Sequence, residues 1–165
     1  MKVCWTRVFC AILSVLLVGL AAAAQQSESG KPAPLALVGT WKLNLAKSKF
    51  NSGPPPKLIN VHYWWWEGDR LHHKVERLNE KGEVAEVAGH WSARYDARDH
   101  LSGGEKDRTI SMKRIDEYST EMTEAPLGGP TSFFSQVVAK DGKTLTITRK
   151  IEGKNIQDVM VHDRQ

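Results

Sequence analysis

Three arginines sit where strand-like alternation would place apolar side chains. In segment 71–78, Leu71 and Val75 share a face with His73 and Arg77. In 109–115, Ile110 and Met112 share theirs with Arg114; in 144–151, Leu145, Ile147 and Ile151 share theirs with Arg149. Segment 83–95 adds Val87, Trp91 and Tyr95 on its own apolar face. A guanidinium in a low-dielectric cavity needs an anion, and a carboxylate matches its fork of donors. Apolar walls with a few convergent polar groups are the usual make-up of a small-molecule site. The expected ligand-binding set is therefore Arg77, Arg114, Arg149, His73, Tyr95 and Trp91. Two readings compete with it. Arg77 and Arg114 lie near strand ends, where a long side chain can snorkel to the rim. A single β-bulge would also turn any of these residues to the opposite face.

The run His62-Tyr63-Trp64-Trp65-Trp66 is the second unusual feature. Alternation sends Tyr63 and Trp65 to the face of Ile59 and Val61, and leaves His62, Trp64 and Trp66 on the other. If that second face meets solvent, it is a stacking platform for a sugar ring or a partner protein. If the proline-rich loop at 53–56 covers it, the tryptophans are structural, and this is the preferred reading.

Other chemistries have little support. The histidines at 62, 72, 73, 90, 100 and 162 are scattered, with no His-x3-His pair, so no metal is expected. Only cross-strand neighbours such as His73 and His90 could meet. There is no Gly-x-Ser-x-Gly elbow, and Gly103-Gly104 neither follows a parallel strand nor opens a helix. No cofactor is expected.

The elements that must position these residues are short and alternating. Leu37, Gly39, Trp41, Leu43 and Leu45 fall on one face of a first strand. The segment NSGPPPK at 51–57 cannot be sheet interior, because consecutive prolines donate no ladder hydrogen bonds. Strands are predicted near 58–66, 71–78, 83–95, 109–115, 119–124, 131–139, 144–151 and 156–163, with turn signals between them. The stretch 96–107 reads as a polar connection. The pattern predicts an all-β fold: one antiparallel up-and-down β-barrel of about 8–10 strands, since closure hides sheet edges best.

The address is written at the start. Lys2 and Arg7 precede an apolar run from Val8 to Leu20, and Ala22-x-Ala24 offers the small residues of a cleavage site. Residues 1–24 are expected to be a signal peptide, 25–35 a flexible lead-in, and 36–165 the barrel domain. The chain would be exported, periplasmic or secreted, with no stable membrane insertion after cleavage. Both cysteines, Cys4 and Cys10, lie in the signal, which excludes disulfides and thiolate chemistry from the mature domain. Without Lys2 and Arg7, the 23 basic side chains become 21 against 19 acidic ones, too even a balance to imply nucleic acid.

Gly39-Thr40-Trp41, opening the first strand of such a barrel, resembles the Gly-x-Trp start of lipocalins and the Gly-Thr-Trp start of fatty-acid-binding proteins, together the calycins. The stretch GTWKLNLAKSKFNSGPPPK, with the endings KDGKTLTITRKIEGKN and VMVHDRQ, looks like small exported bacterial lipocalin-like proteins. The resemblance implies that Trp41 closes one barrel end against a basic residue near the last strand. Arg149 and Arg164 are the candidates, Arg149 preferred. It also implies a carboxylate held inside by arginine and tyrosine, as in fatty-acid-binding proteins. Two departures stand out. The proline loop leaves no room for the helix-turn-helix lid of fatty-acid-binding proteins, and the C-terminal helix and disulfide common in lipocalins are absent.

The function expected from these features is binding of a small hydrophobic or amphipathic molecule, fatty-acid-like in its finer form, inside the barrel. The alternative is an envelope interaction module using His62, Trp64 and Trp66 on an outer face, over a filled interior. An enzyme is the least favoured class, with His73 beside Tyr95 the first place to look; no catalytic residue is assigned.

Overall fold

Asp141-Gly142-Lys143 illustrates how the hairpins are built. Gly142 adopts φ 71° and donates its N–H to the Ala139 carbonyl at 2.8 Å, while the Asp141 carboxylate accepts the Lys143 N–H at 2.9 Å. A left-handed residue flanked by an Asx bond reverses the chain at little cost.

The computed structural model describes residues 36–56, 59–66, 70–102 and 107–165, the side chains of 64–66 excepted. The expected signal, the lead-in to residue 35, the turn at 67–69 and Gly103-Gly104 lie outside the described residues. Among those described, ten strands form one antiparallel sheet: β1 (Gly39–Leu43), β2 (Ile59–Trp66), β3 (Arg70–Leu78), β4 (Val84–Arg94), β5 (His100–Leu101), β6 (Arg108–Arg114), β7 (Ser119–Pro126), β8 (Ser132–Val138), β9 (Thr144–Ile151) and β10 (Gln157–Arg164). Each expected strand is present. The addition is β5, two residues of the supposed polar connection, which pair His100 with Ile110 and Leu101 with Thr109.

Strands pair with their sequence neighbours, except that β4 and β5 do not pair with each other, and β1 meets β10 with Trp41 opposite Arg164 and Leu43 opposite His162. That pairing bends the meander into a nearly closed barrel whose free edges are β4 and β5. The gap is narrow: β4 approaches β6, and the buried Ser102 hydroxyl reaches the His90 carbonyl at 3.5 Å. The link from β1 to β2 holds one 3-10 turn, Leu45–Lys47, and no α-helix among its described residues.

Inside lies one apolar core, with Trp41, Leu71, Ala93, Ile110, Met112 and Leu145 fully withdrawn from solvent. The segment after the 3-10 turn folds onto this barrel. Lys49 bridges to Val159, Phe50 packs on the core, and the Asn51 and Ser52 amides donate to Asp158 at 2.7 and 2.9 Å. Burial works against the Asp158 carboxylate, but the Ser52 hydroxyl and these amides outweigh it and hold its pKa below the usual value.

Candidate functional site

Gly39 earns its place in the Gly-Thr-Trp start twice over. Its φ is 150°, and a Cβ there would stand 2.7 Å from Nη1 of Arg164. That guanidinium lies 4.2 Å from the Trp41 ring centre, and donates to the carbonyls of Gly142, Val38 and Ala36 at 2.6, 3.1 and 2.5 Å. Trp41, fully buried, donates its indole N–H to the Leu37 carbonyl at 2.9 Å. Trp41 therefore packs against a basic residue of the last strand, and that residue is Arg164 and not Arg149. The β1–β10 register sets Arg164 directly opposite Trp41, whereas Arg149 lies on β9, one strand further round.

Arg149 instead sits within the barrel wall. It donates to the Ser132 hydroxyl at 3.2 Å, lies 5.9 Å from the centre of the Phe134 ring, and is paired across the strands with Asp158. Arg114 extends from the end of β6 to the Asp116 carbonyl at 3.2 Å. The Arg77 guanidinium does not face the interior: it is exposed and ion-paired with Glu86 at 2.7 Å. Its backbone opposes the buried Ile59 in an unbroken β2–β3 register, so the long side chain reaches solvent from near the strand end; on the other side, the β3–β4 register skips Ala88 and Ala85 of β4. The same irregularity leaves Val87 exposed instead of beside Trp91. The three arginines therefore do not form one cluster.

Two members of the expected set, His73 and Trp91, do meet. The His73 ring stacks on Trp91 with centroids 4.5 Å apart and tilts against Tyr63 at 5.0 Å, while Tyr63 meets Trp91 edge-on at 6.5 Å. Burial, with His90, His62 and His162 nearby, pushes the His73 pKa down to about 3, so the ring is neutral at pH 7. His73 also keeps intermediate exposure although its Nδ1 is buried. Burial raises the Tyr63 and Tyr95 phenols; for Tyr95, the Arg114 charge and a hydrogen bond with Thr120 oppose it.

Two residues absent from the expected set connect these groups. Gln136, buried on β8, donates from Nε2 to the Tyr63 oxygen at 3.0 Å and accepts at Oε1 from the Thr120 hydroxyl at 2.8 Å. A short polar string, Tyr63, Gln136 and Thr120, therefore crosses the apolar interior, with the His73 ring against Tyr63 at one end. Its signal was present in the sequence, since Gln136 occupies the same register as Phe134 and Val138.

The outer face looks different. His62 is half-buried between the Thr40 hydroxyl, 3.1 Å from Nδ1, and Glu76, 2.6 Å from Nε2. Lys74 reaches the other Glu76 oxygen at 2.6 Å, and this bond is the main cause holding the Glu76 pKa below its usual value. His62 is therefore tied into the sheet surface; the Trp64 and Trp66 side chains lie outside the described residues. His73 and His90 do not pair, because His73 opposes Trp91 and His90 opposes Lys74. His90 stacks on His72 at 6.0 Å instead. Among the described residues no three His, Cys, Asp or Glu side chains gather as a metal site.

No family model and no curated protein matches the chain. Solved structures do. The chain is similar to the fluorescent protein UnaG, with TM-score 0.55, 13% identity, and 78% of this chain and 97% of that one covered. It is similar to the Schistosoma mansoni fatty acid binding protein solved in complex with arachidonic acid, with TM-score 0.54, 12% identity and 83% and 98% covered. It is similar, too, to Echinococcus granulosus fatty-acid-binding protein 1, with TM-score 0.53, 13% identity and 79% and 98% covered. At such identities the likeness concerns the fold. Ten antiparallel strands among the described residues, a Gly-Thr-Trp first strand and Trp41 packed on Arg164 give this chain the β-barrel fold of the fatty-acid-binding-protein and lipocalin type.

Proposed function

We propose that the barrel is a non-covalent binding protein for a small hydrophobic or amphipathic molecule held in its interior. The observation that carries this reading is the polar string threaded through apolar walls, since such a mixture binds an apolar body and orients it by a few contacts. The arachidonic acid bound by the Schistosoma mansoni neighbour supports the same class of ligand. A fatty-acid-like molecule is the finer form of the reading. Arginine anchoring then falls to Arg149 or Arg114, because Arg77 is outside and paired with Glu86. Each buried methylene contributes roughly 0.8 kcal/mol, so an acyl or polycyclic ligand would bind usefully without covalent chemistry. Export to a periplasmic or extracellular compartment, read from residues 1–24, belongs to this proposal.

The test is titration of the protein with diphenylhexatriene, an uncharged fluorophore that brightens in apolar surroundings, read by energy transfer from tryptophan. Saturable one-to-one binding, reversed by competing lipids, is expected. A folded protein that shows no saturation overturns the proposal.

A further inference from the structure

The outer wall carries a constellation that binding in the lumen does not use. β1, β2 and β3 pair in unbroken register, with Thr40 opposite His62 and His62 opposite Lys74; Glu76 stands one outward position further along β3, opposite Asn60. Side chains from three strands therefore fall in a row. The Thr40 hydroxyl lies 3.1 Å from Nδ1 of His62, and Nε2 of His62 lies 2.6 Å from a Glu76 carboxylate oxygen. The ring orientation is set from both sides, because turning it over would put carbon atoms against both oxygens. Lys74 meets the other Glu76 oxygen at 2.6 Å, and this bond above all holds the carboxyl below its ordinary pKa, so it is ionised at pH 7. An ionised carboxylate only accepts, so Nε2 carries the proton of the neutral ring; Nδ1 is then a lone pair, and the Thr40 hydroxyl is its donor. The His62 and Glu76 side chains are 23% and 10% exposed, and Thr40 is partly exposed, so the hydroxyl end meets solvent while the carboxylate is sheltered.

We propose that Thr40, His62 and Glu76 form a nucleophilic site on the outer wall, which cleaves simple carboxylic esters by acyl transfer through the Thr40 hydroxyl. A hydroxyl, a base within hydrogen-bond reach and a carboxylate orienting that base are the parts such chemistry needs. The site goes beyond the ligand-binding reading and does not depend on the lumen. Thr40 Oγ1 bonds to the ester carbonyl carbon as its proton passes to Nδ1 of His62. The bond from that carbon to the leaving oxygen then breaks, and the leaving oxygen takes the proton. A water that gives its proton to the same nitrogen attacks the acyl carbon, which releases the carboxylic acid and restores the hydroxyl. Glu76 touches no reacting atom; it is a positioning residue, which fixes the ring tautomer and balances the charge the ring gains. Because the hydroxyl stands on a sheet surface, small activated esters are the substrates expected.

The experiment treats the protein with a fluorophosphonate, whose phosphorus takes the hydroxyl oxygen as fluoride leaves, and separately follows hydrolysis of p-nitrophenyl acetate at pH 7.5. Intact mass is expected to show one phosphonyl adduct, placed on Thr40 by peptide mapping. Thr40→Val should take no adduct and lose the hydrolysis, whereas Thr40→Ser should keep both. His62→Gln should slow labelling about a hundredfold. Glu76→Gln should lower kcat for the ester at least about tenfold with KM unchanged, which a merely structural role would not do. Folding is checked by far-UV circular dichroism; should His62→Gln not fold, the Thr40→Val and Thr40→Ser pair decides. The proposal is overturned if the folded protein takes no adduct on Thr40, if labelling is as fast in folded His62→Gln, or if Thr40→Val hydrolyses the ester as the parent does. Diphenylhexatriene binding reports on the lumen alone and should be unchanged in all four variants, so failure of one reading leaves the other standing.

Discussion

Acidification should destabilise this barrel well before its carboxylates titrate, and His73 should account for about half of the effect. Its folded pKa of about 3 lies below the ordinary histidine value of 6.5, and that of the buried His162 is lowered to about 4, also chiefly by burial. The unfolded chain therefore binds protons that the folded one refuses, and stability rises with pH through this window. Linkage with these values gives a loss of about 2 kcal/mol from each histidine between pH 7 and pH 5. The sum, about 4 kcal/mol, is a large part of the roughly 5–15 kcal/mol that holds a domain of this size. The carboxylates with resolved shifts, such as Glu76, Asp96 and Asp158, are all lowered, so they lose stabilisation only below their ordinary range and leave the window clear. The assay is urea unfolding followed by tryptophan fluorescence at pH 7, 6 and 5, in the unaltered protein and in His73→Phe. The variant should lose about 2 kcal/mol less than the parent over this range. A gap between the two that stays constant with pH would refute the assignment of a buried, neutral His73.

Other expectations follow from the Trp41–Arg164 contact and the address. Arg164→Ala removes the cation over Trp41 and hydrogen bonds to three carbonyls, and should cost about 1–3 kcal/mol in urea unfolding, with a shift in tryptophan emission. Gly39→Ala should cost a similar ~1–3 kcal/mol, because the new Cβ both strains the backbone and displaces Arg164. If the N-terminal run acts as a signal, intact-mass measurement of the protein from an exporting host should show Gln25 as the first residue.

Much of the architecture is readable from spacing alone. Alternation depends on the two-residue period of a strand, and glycine and proline clusters mark where it breaks, so the long strands fall where the pattern puts them. The same argument brings His73, Trp91 and Tyr95 to the interior. It fails where pairing is irregular. Val87 satisfies the alternation of its own segment, but Ala88, skipped in the β3–β4 register, undoes it; Arg77 keeps its register opposite Ile59, and its length carries it to solvent and Glu86. A bulge is a property of two strands together, and neither strand's sequence records it. The short β5 escapes for a related reason, since two residues carry no period and are strands only because β6 lies beside them.

The sequence by itself determined the class of fold and most inward faces of the long strands, because these follow from local periodicity. Only the tertiary structure decided which distant groups meet. Closure of β1 on β10 gave Trp41 to Arg164 instead of Arg149. The same closure brought Gln136 of β8 within 3.0 Å of Tyr63 of β2, a pair 73 residues apart in the chain. Hydrogen bonds and burial act through space, so the polar string and the neutrality of His73 exist only once the barrel has closed around them.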